Sequence, residues 1–252
     1  MTTLQGLGAI VLGAGGKDNI GQAIARRLAR EGARVLVAGR QEAPLRALAE
    51  EIGGVFQLAD ATSEGDLAAL VERAHGAFGG LRIAVNSTGR NLQRPLLETT
   101  RADLEEISEI QFVAPYLFLQ AAVRGMPEGG AITHISSVTA QLLLRNHAAY
   151  MGTKAGMEQV VRAFAFEFGE RGVRVNCVSP GLTQTPMTAM AFANPDFTAF
   201  CAANTPMRRL GTPDDIAAAV AWLSTPECFV TGETLQANGG AQLVGPPPWV
   251  PR

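Results

Sequence analysis

A single-domain, doubly wound α/β fold with a seven-stranded parallel sheet flanked by helices is predicted by three observations. Seven short apolar runs recur along the 252 residues, longer segments with helical apolar spacing separate them, and a glycine cluster follows the first run. Near-continuous hydrophobicity suits strands covered on both faces, as in a parallel sheet. Strand–helix alternation over the whole length makes that sheet doubly wound. At 47% hydrophobic and 17% charged, the chain can bury one large core.

The expected strands are 8–13 (GAIVLG), 34–38 (RVLVA), 55–59 (VFQLA), 81–85 (LRIAV), 131–135 (AITHI), 173–178 (VRVNCV) and 234–237 (TLQA). The first helix starts at Ile20, where Ala23, Ile24 and Leu28 share a face. From Met157, the residues Val160, Val161, Phe164 and Phe168 form a second apolar stripe. Such a stripe suits the core, and it also suits contact with another subunit. Thr212, before Pro213, Asp214 and Asp215, reads as the cap of a late helix, and the two aspartates are assigned no chemistry. Residues 1–244 form the expected domain, and 245–252 (GPPPWVPR) are a Pro-rich tail that three consecutive prolines keep extended. Trp249 in that tail is a candidate for docking.

Composition excludes several classes of function. A net charge of -2 without a long basic run gives no sign of a nucleic-acid or membrane-surface partner. No apolar run approaches the ~18 residues of a membrane span. The N-terminal stretch lacks a basic region and is broken by glycines, unlike a secretory signal. Cys177, Cys201 and Cys228, odd in number and far apart, read as reduced, buried thiols of a cytoplasmic protein. His75, His134 and His147 are scattered and have no metal-ligand spacing.

Chemistry concentrates at particular points. The first strand runs into "GAGGKDNIG", Gly13 to Gly21, and then a helix. Glycines there let the backbone approach a pyrophosphate, while helix amides and dipole favour the anion. Asn19 stands where a further glycine is expected before Ile20, and asparagine both tolerates a left-handed backbone and caps a helix. After the second strand, Gly39 offers no carboxylate to a ribose hydroxyl, and Arg40 follows. An arginine fork suits the 2′-phosphate of NADP, with Lys17 as a second charge, so NADP(H) is preferred and NAD(H) is the alternative. In "HAAYMGTKAG", Tyr150 and Lys154 lie one helical turn apart.

These pieces, in this order, resemble the short-chain dehydrogenase/reductase family over about residues 5 to 242. "DAT" resembles the segment whose Asp contacts adenine, here Asp60 with Ala61 beside it. "NSTG" resembles the family's N-N-A-G, with Asn86 its first residue. "ISSVTA" places Ser137 thirteen residues before Tyr150, the family spacing. "VNCVSPGLTQTPM" resembles the stretch that closes over the nicotinamide, with Pro180, Gly181, Thr183 and Thr185 at matching positions. "TGETLQANGG" resembles the last strand and its glycines.

The resemblance implies a Rossmann fold, a small-molecule substrate and a homotetramer built through the Tyr150 helix and the C-terminal strand. It also implies that Tyr150 is the general acid/base, Ser137 orients the substrate oxygen, and Lys154 binds the nicotinamide ribose. The residue types can perform these roles. A free phenol with a pKa near ~10 is a poor proton shuttle at neutral pH. A nearby ammonium and the positive ring of the oxidised cofactor favour the phenolate.

One position departs from the family. Where members carry an asparagine that completes a proton relay to the lysine through water, this chain has Gln111, with the same amide on one more methylene. His147 reads as a polar loop residue near the substrate mouth. Residues 186–210 form the expected substrate lid; Met187, Met190, Phe192, Phe197 and Phe200 lie in it, and "QLLL" (141–144) borders the site. Most of these apolar residues suit packing of the lid on its helix, while the few charges in the lid point to an apolar ketone or secondary alcohol. Two other classes stay open. The loop ending in "NIG" resembles the enoyl reductase branch, although that branch usually spaces its tyrosine and lysine by seven. A dinucleotide-binding sensor or scaffold without turnover is the other.

Overall fold

The computed structural model describes residues 4–244. The expected 245–252 tail and Trp249 lie outside the described residues. The elements run β1 (Gly8–Leu12), α1 (Ile20–Arg30), β2 (Arg34–Gly39), α2 (Glu42–Ile52), β3 (Val55–Leu58), α3 (Glu64–Phe78) and β4 (Ile83–Asn86). Next come α4 (Arg101–Ser108), a π-helical turn (Glu109–Val113), α5 (Ala114–Arg124), β5 (Gly130–Ile135), α6 (Ala148–Phe168) and β6 (Val173–Pro180). The chain continues through α7 (Ala189–Phe192), α8 (Pro195–Ala203), α9 (Pro213–Ser224), β7 (Thr234–Ala237) and α10 (Ala241–Val244). All seven expected strands form, each within a few residues of its expected bounds.

The strands pair in parallel in the order β3-β2-β1-β4-β5-β6-β7. The order reverses between β1 and β4, and the carboxyl ends of such a switch point open a crevice. Alternation along β1 divides the core. Ile10 and Leu12 face a layer with α3, α5 and α6, whereas Ala9 and Val11 face one with α1, α2 and α9. The α1 stripe is buried at Ala23, Ile24 and Leu28; of the α6 stripe Met157, Val161 and Phe164 are buried, whereas Val160 and Phe168 are only partly so. Of the cysteines, Cys177 and Cys228 are buried, but Cys201 is only half-buried. It sits on α8, a short helix with no buried residue.

Two helix details follow from local sequence. Thr212 caps α9 in a reciprocal pair with Asp215, as its sequence predicts. Helices α4 and α5 are one rod widened by the π turn, in which Ala114 N–H donates to the Glu109 carbonyl five residues back. Pro115 supplies a reason. It has no N–H to give the Gln111 carbonyl, so the α ladder cannot close there.

Candidate active site

A cavity of about 810 Å³ opens at the carboxyl ends of the strands around the switch point. Its floor begins at the β1–α1 turn. Gly13 has φ 97°, and a side chain on it would come within 2.6 Å of the Ser87 backbone. A Cβ on Gly21 would lie 2.7 Å from the Gly13 carbonyl, so the helix start is pressed onto the turn. Asn19 staples the two together: its Oδ1 accepts from Gln22 N at 2.9 Å and its Nδ2 donates to Gly13 O at 2.8 Å. The capping role expected of Asn19 is met. The left-handed residue, however, is Asp18 with φ 55°, whereas Asn19 is extended. Gly13, Asn19 and Ile20 line the cavity, as do Gly15 and Gly16.

Beyond the glycine turn, Arg40, Asp60, Ala61 and Thr62 line the adjoining wall. Arg40 is exposed and makes no hydrogen bond or ion pair among the described residues. Asp60 accepts from Thr62 N at 2.9 Å and Thr62 Oγ1 at 2.8 Å, and these bonds, backbone first, hold its carboxyl below its ordinary range. Lys17 is exposed in the loop and is not part of the lining. Asn86 is also outside it: fully buried, it accepts from Thr88 N at 2.9 Å and Thr88 Oγ1 at 2.6 Å. It shapes the turn that presents Ser87, Thr88 and Gly89 to the cavity.

Ser137, Tyr150, Lys154 and Gln111 come from β5's end, α6 and the π turn, and all four line the same cavity. Lys154 is 4% exposed, and its Nζ donates to the Ile135 carbonyl at 2.8 Å. Burial lowers its ammonium from the ordinary value to about 8. Burial pushes the Tyr150 phenol up, and the neighbouring Ser137 hydroxyl pulls the other way. Ser137 is held by Thr139, whose N–H donates to its Oγ at 3.2 Å. Gln111 is 1% exposed, and neither amide atom has a hydrogen-bond partner among the described residues. A Cβ on Gly89 would lie 3.2 Å from Gln111 Oε1 and 3.7 Å from Lys154 Nζ, so both groups converge on one backbone position.

The far wall carries Pro180, Gly181, Thr183 and Thr185 together with Pro186, Met187 and Thr188. Thr188 pins this bend by donating to the Thr183 carbonyl at 2.5 Å. The other methionines and phenylalanines of 186–210 do not reach the lining, and neither does "QLLL" at 141–144. Met190 is 92% exposed and Leu143 81%. His147 is the N-cap of α6, its ring edge-on to Tyr150 at 6.4 Å between centroids. Sequence reasoning omitted Ser136 and Arg90, which also line the cavity. The second serine of "ISS" was the one matched, and Arg90 lies one residue past the matched "NSTG".

The glycine turn, the start of α1 and the residues Ser137, Tyr150 and Lys154 thus share one cavity at the switch point. Residues 13–242 match the family described as enoyl-(acyl carrier protein) reductase. Over 94% of this chain and 89% of its own length, L-fucose dehydrogenase of Mus musculus is 34% identical. A 3β-hydroxysteroid dehydrogenase of Eggerthella lenta is 32% identical over 94% of both chains. The structure of a short-chain type dehydrogenase/reductase from Mycobacterium ulcerans superposes with a TM-score of 0.91 at 27% identity, covering 96% of this chain and 92% of that one. The chain belongs to the short-chain dehydrogenase/reductase family and is an NAD(P)-dependent enzyme of it. Among the described residues no helix is long and apolar enough to cross a membrane.

Proposed function

We propose that this enzyme interconverts a ketone and a secondary alcohol on an apolar small molecule, with NADP(H) as the preferred cofactor. The observation that carries the reading is the convergence of Ser137, Tyr150 and Lys154 on one wall of the cavity. The glycine turn fits a dinucleotide, because a side chain at Gly13 would fill the space against Ser87. A nicotinamide dinucleotide held in this cavity would supply or take up the hydride at the carbonyl carbon. Tyr150 gives its proton to the oxygen in reduction and takes one in oxidation. Ser137 orients that oxygen, and Lys154 holds the ribose hydroxyls and favours the phenolate by its charge. Gln111, buried beside Lys154 with donor and acceptor unspent, supports a water-bridged relay in place of the family's asparagine.

The Arg40 guanidinium, which lines the cavity and makes no hydrogen bond among the described residues, supports NADP(H), and Lys17 adds positive charge in the glycine loop. Fluorescence titration with NADPH and separately with NADH tests this. The expected outcome is tighter NADPH binding, reduced roughly ten- to hundredfold by Arg40→Ala with NADH little changed, the size of a charged hydrogen bond. Equal binding of the two in the parent protein overturns the preference. The enoyl reductase reading draws support from the description of the matched family, and against it stands the Tyr150–Lys154 spacing of four. A carbonyl assay beside a double-bond assay separates the two, and tight cofactor binding with neither activity points to a sensor or scaffold. Residues 186–210 act as the substrate lid. Assembly is a homotetramer, and three free thiols fit a reducing cytoplasm.

A further inference from the structure

Glu158 lies one turn beyond Lys154 on the same face of α6, and it is buried at 8% exposure. A buried carboxylate is costly unless it is paired and hydrogen-bonded. Here Ser136 Oγ donates to Glu158 Oε1 at 2.6 Å. Ser136 directly follows Ile135, whose carbonyl accepts from Lys154 Nζ at 2.8 Å. It directly precedes Ser137. One short piece of chain at the end of β5 therefore bears the ammonium on its carbonyl, the carboxylate on its next side chain and the substrate-orienting serine after that.

We propose that Glu158 is a positioning residue of this site: through Ser136 it clamps 135–137, and it supplies the negative charge that keeps Lys154 an ammonium. The assignment extends the role read for Lys154 under the proposed function. Every polar group facing this carboxylate is consistent with it. On α6 these are Lys154 and Arg162; directly after β5, Ser136; on β6, Cys177; on β7, Thr234. Burial raises Glu158, while Ser136, Arg162, Thr234 and Lys154 oppose the rise. Burial also pushes the Cys177 thiol up to about 12, leaving it neutral at pH 7. His134, fully buried and facing Lys154, is held neutral by its own desolvation. Two groups act to raise Lys154, Cys177 and then Glu158, and with the thiol neutral the negative charge is assigned to Glu158.

The chain offers a direct probe, since Lys17 and Lys154 are its only lysines. Protein labelled with ε-13C lysine gives two side-chain signals, and exposed Lys17 serves as internal reference. In Glu158→Gln, which keeps an acceptor for Ser136 but removes the charge, the Lys154 midpoint is expected to fall by about one pH unit. Ser136→Ala, which frees the carboxylate, is expected to move it the same way by less. A Lys154 midpoint unchanged in Glu158→Gln overturns the proposal, and one unchanged in Ser136→Ala overturns the clamp. Should Glu158→Gln not fold, Ser136→Ala decides alone on the same criterion. The titration needs neither cofactor nor substrate, so failure of the proposed activity would leave it readable and would be seen separately in the carbonyl assay.

Discussion

Lys154 holds its charge against desolvation, with its Nζ on a single backbone carbonyl. Its folded-state value, about 8, lies below the ordinary 10.5. Below pH 8 both folded and unfolded chains carry the proton, and the burial penalty is felt in full. Above that the folded lysine releases its proton first, so the penalty is relieved as pH rises from about 8 toward 10.5. Lys154→Met is therefore expected to gain stability relative to the parent most below pH 8. The difference should shrink by roughly 1.4 kcal/mol per pH unit above it. Urea midpoints of both proteins at several pH values check this. Tyr150→Phe is expected to lower turnover roughly 10²- to 10⁴-fold, the usual size of general acid–base catalysis, with cofactor affinity little changed. Retained turnover would remove Tyr150 from the chemistry. At this scale residue type and spacing were enough to single out Ser137, Tyr150, Lys154 and Arg40, all of which line the cavity. Glu158 was not, because a glutamate one turn past the lysine looks like any solvated helix residue until β5 lays Ser136 against it.

Helices deliver these groups, and their ends are where the sequence speaks most directly. Thr212 and Asp215 cap α9 reciprocally, and Asp215 also binds Arg209 at 2.6 and 2.7 Å. Helix α9 packs on the same core layer as α1, the helix that carries the glycine turn's anchor. Thr212→Ala is expected to destabilise the protein by about 1 kcal/mol, seen as a lower urea midpoint with unchanged slope. A loss under a few tenths would mean that tertiary packing alone holds α9's start. The π turn is the contrary case. Pro115 four residues after Gln111 is visible in the sequence and predicts a broken α ladder. Whether the rod kinks, stops or widens is a matter of what packs around it, and here it widens and leaves Gln111 buried beside Gly89 and Lys154. The proposed lid, residues 186–210, stands out in the sequence only as a stretch with few charges. Short helices with scattered apolar residues carry no periodicity from which to read which side chains face inward.

Across the whole molecule, large apolar side chains remain outside the core. Tyr116 of α5 is 39% exposed and Phe166 of α6 88%, while Phe229, ahead of the edge strand β7, is fully exposed. These surfaces lie on the helix carrying Tyr150, on its neighbour and beside the last strand, where the proposed tetramer makes its contacts. Light scattering on the purified protein is expected to give four times the monomer's 26.5 kDa, and a monomer would overturn that assembly. The sequence by itself determined the seven strands, their parallel pairing and three residues, Ser137, Tyr150 and Lys154, that meet in one cavity, because hydrophobic period, glycine placement and residue spacing are local properties of the chain. It did not determine that Lys17 stands off the cavity while Arg40 lines it, that Asp18 rather than Asn19 takes the left-handed turn, or that Cys201 stays half-buried. Nor did it determine that Glu158 and Ser136 meet behind the lysine. Only the tertiary structure decided these, since each depends on which distant segments the sheet's crossovers bring alongside, and no local pattern encodes that distance.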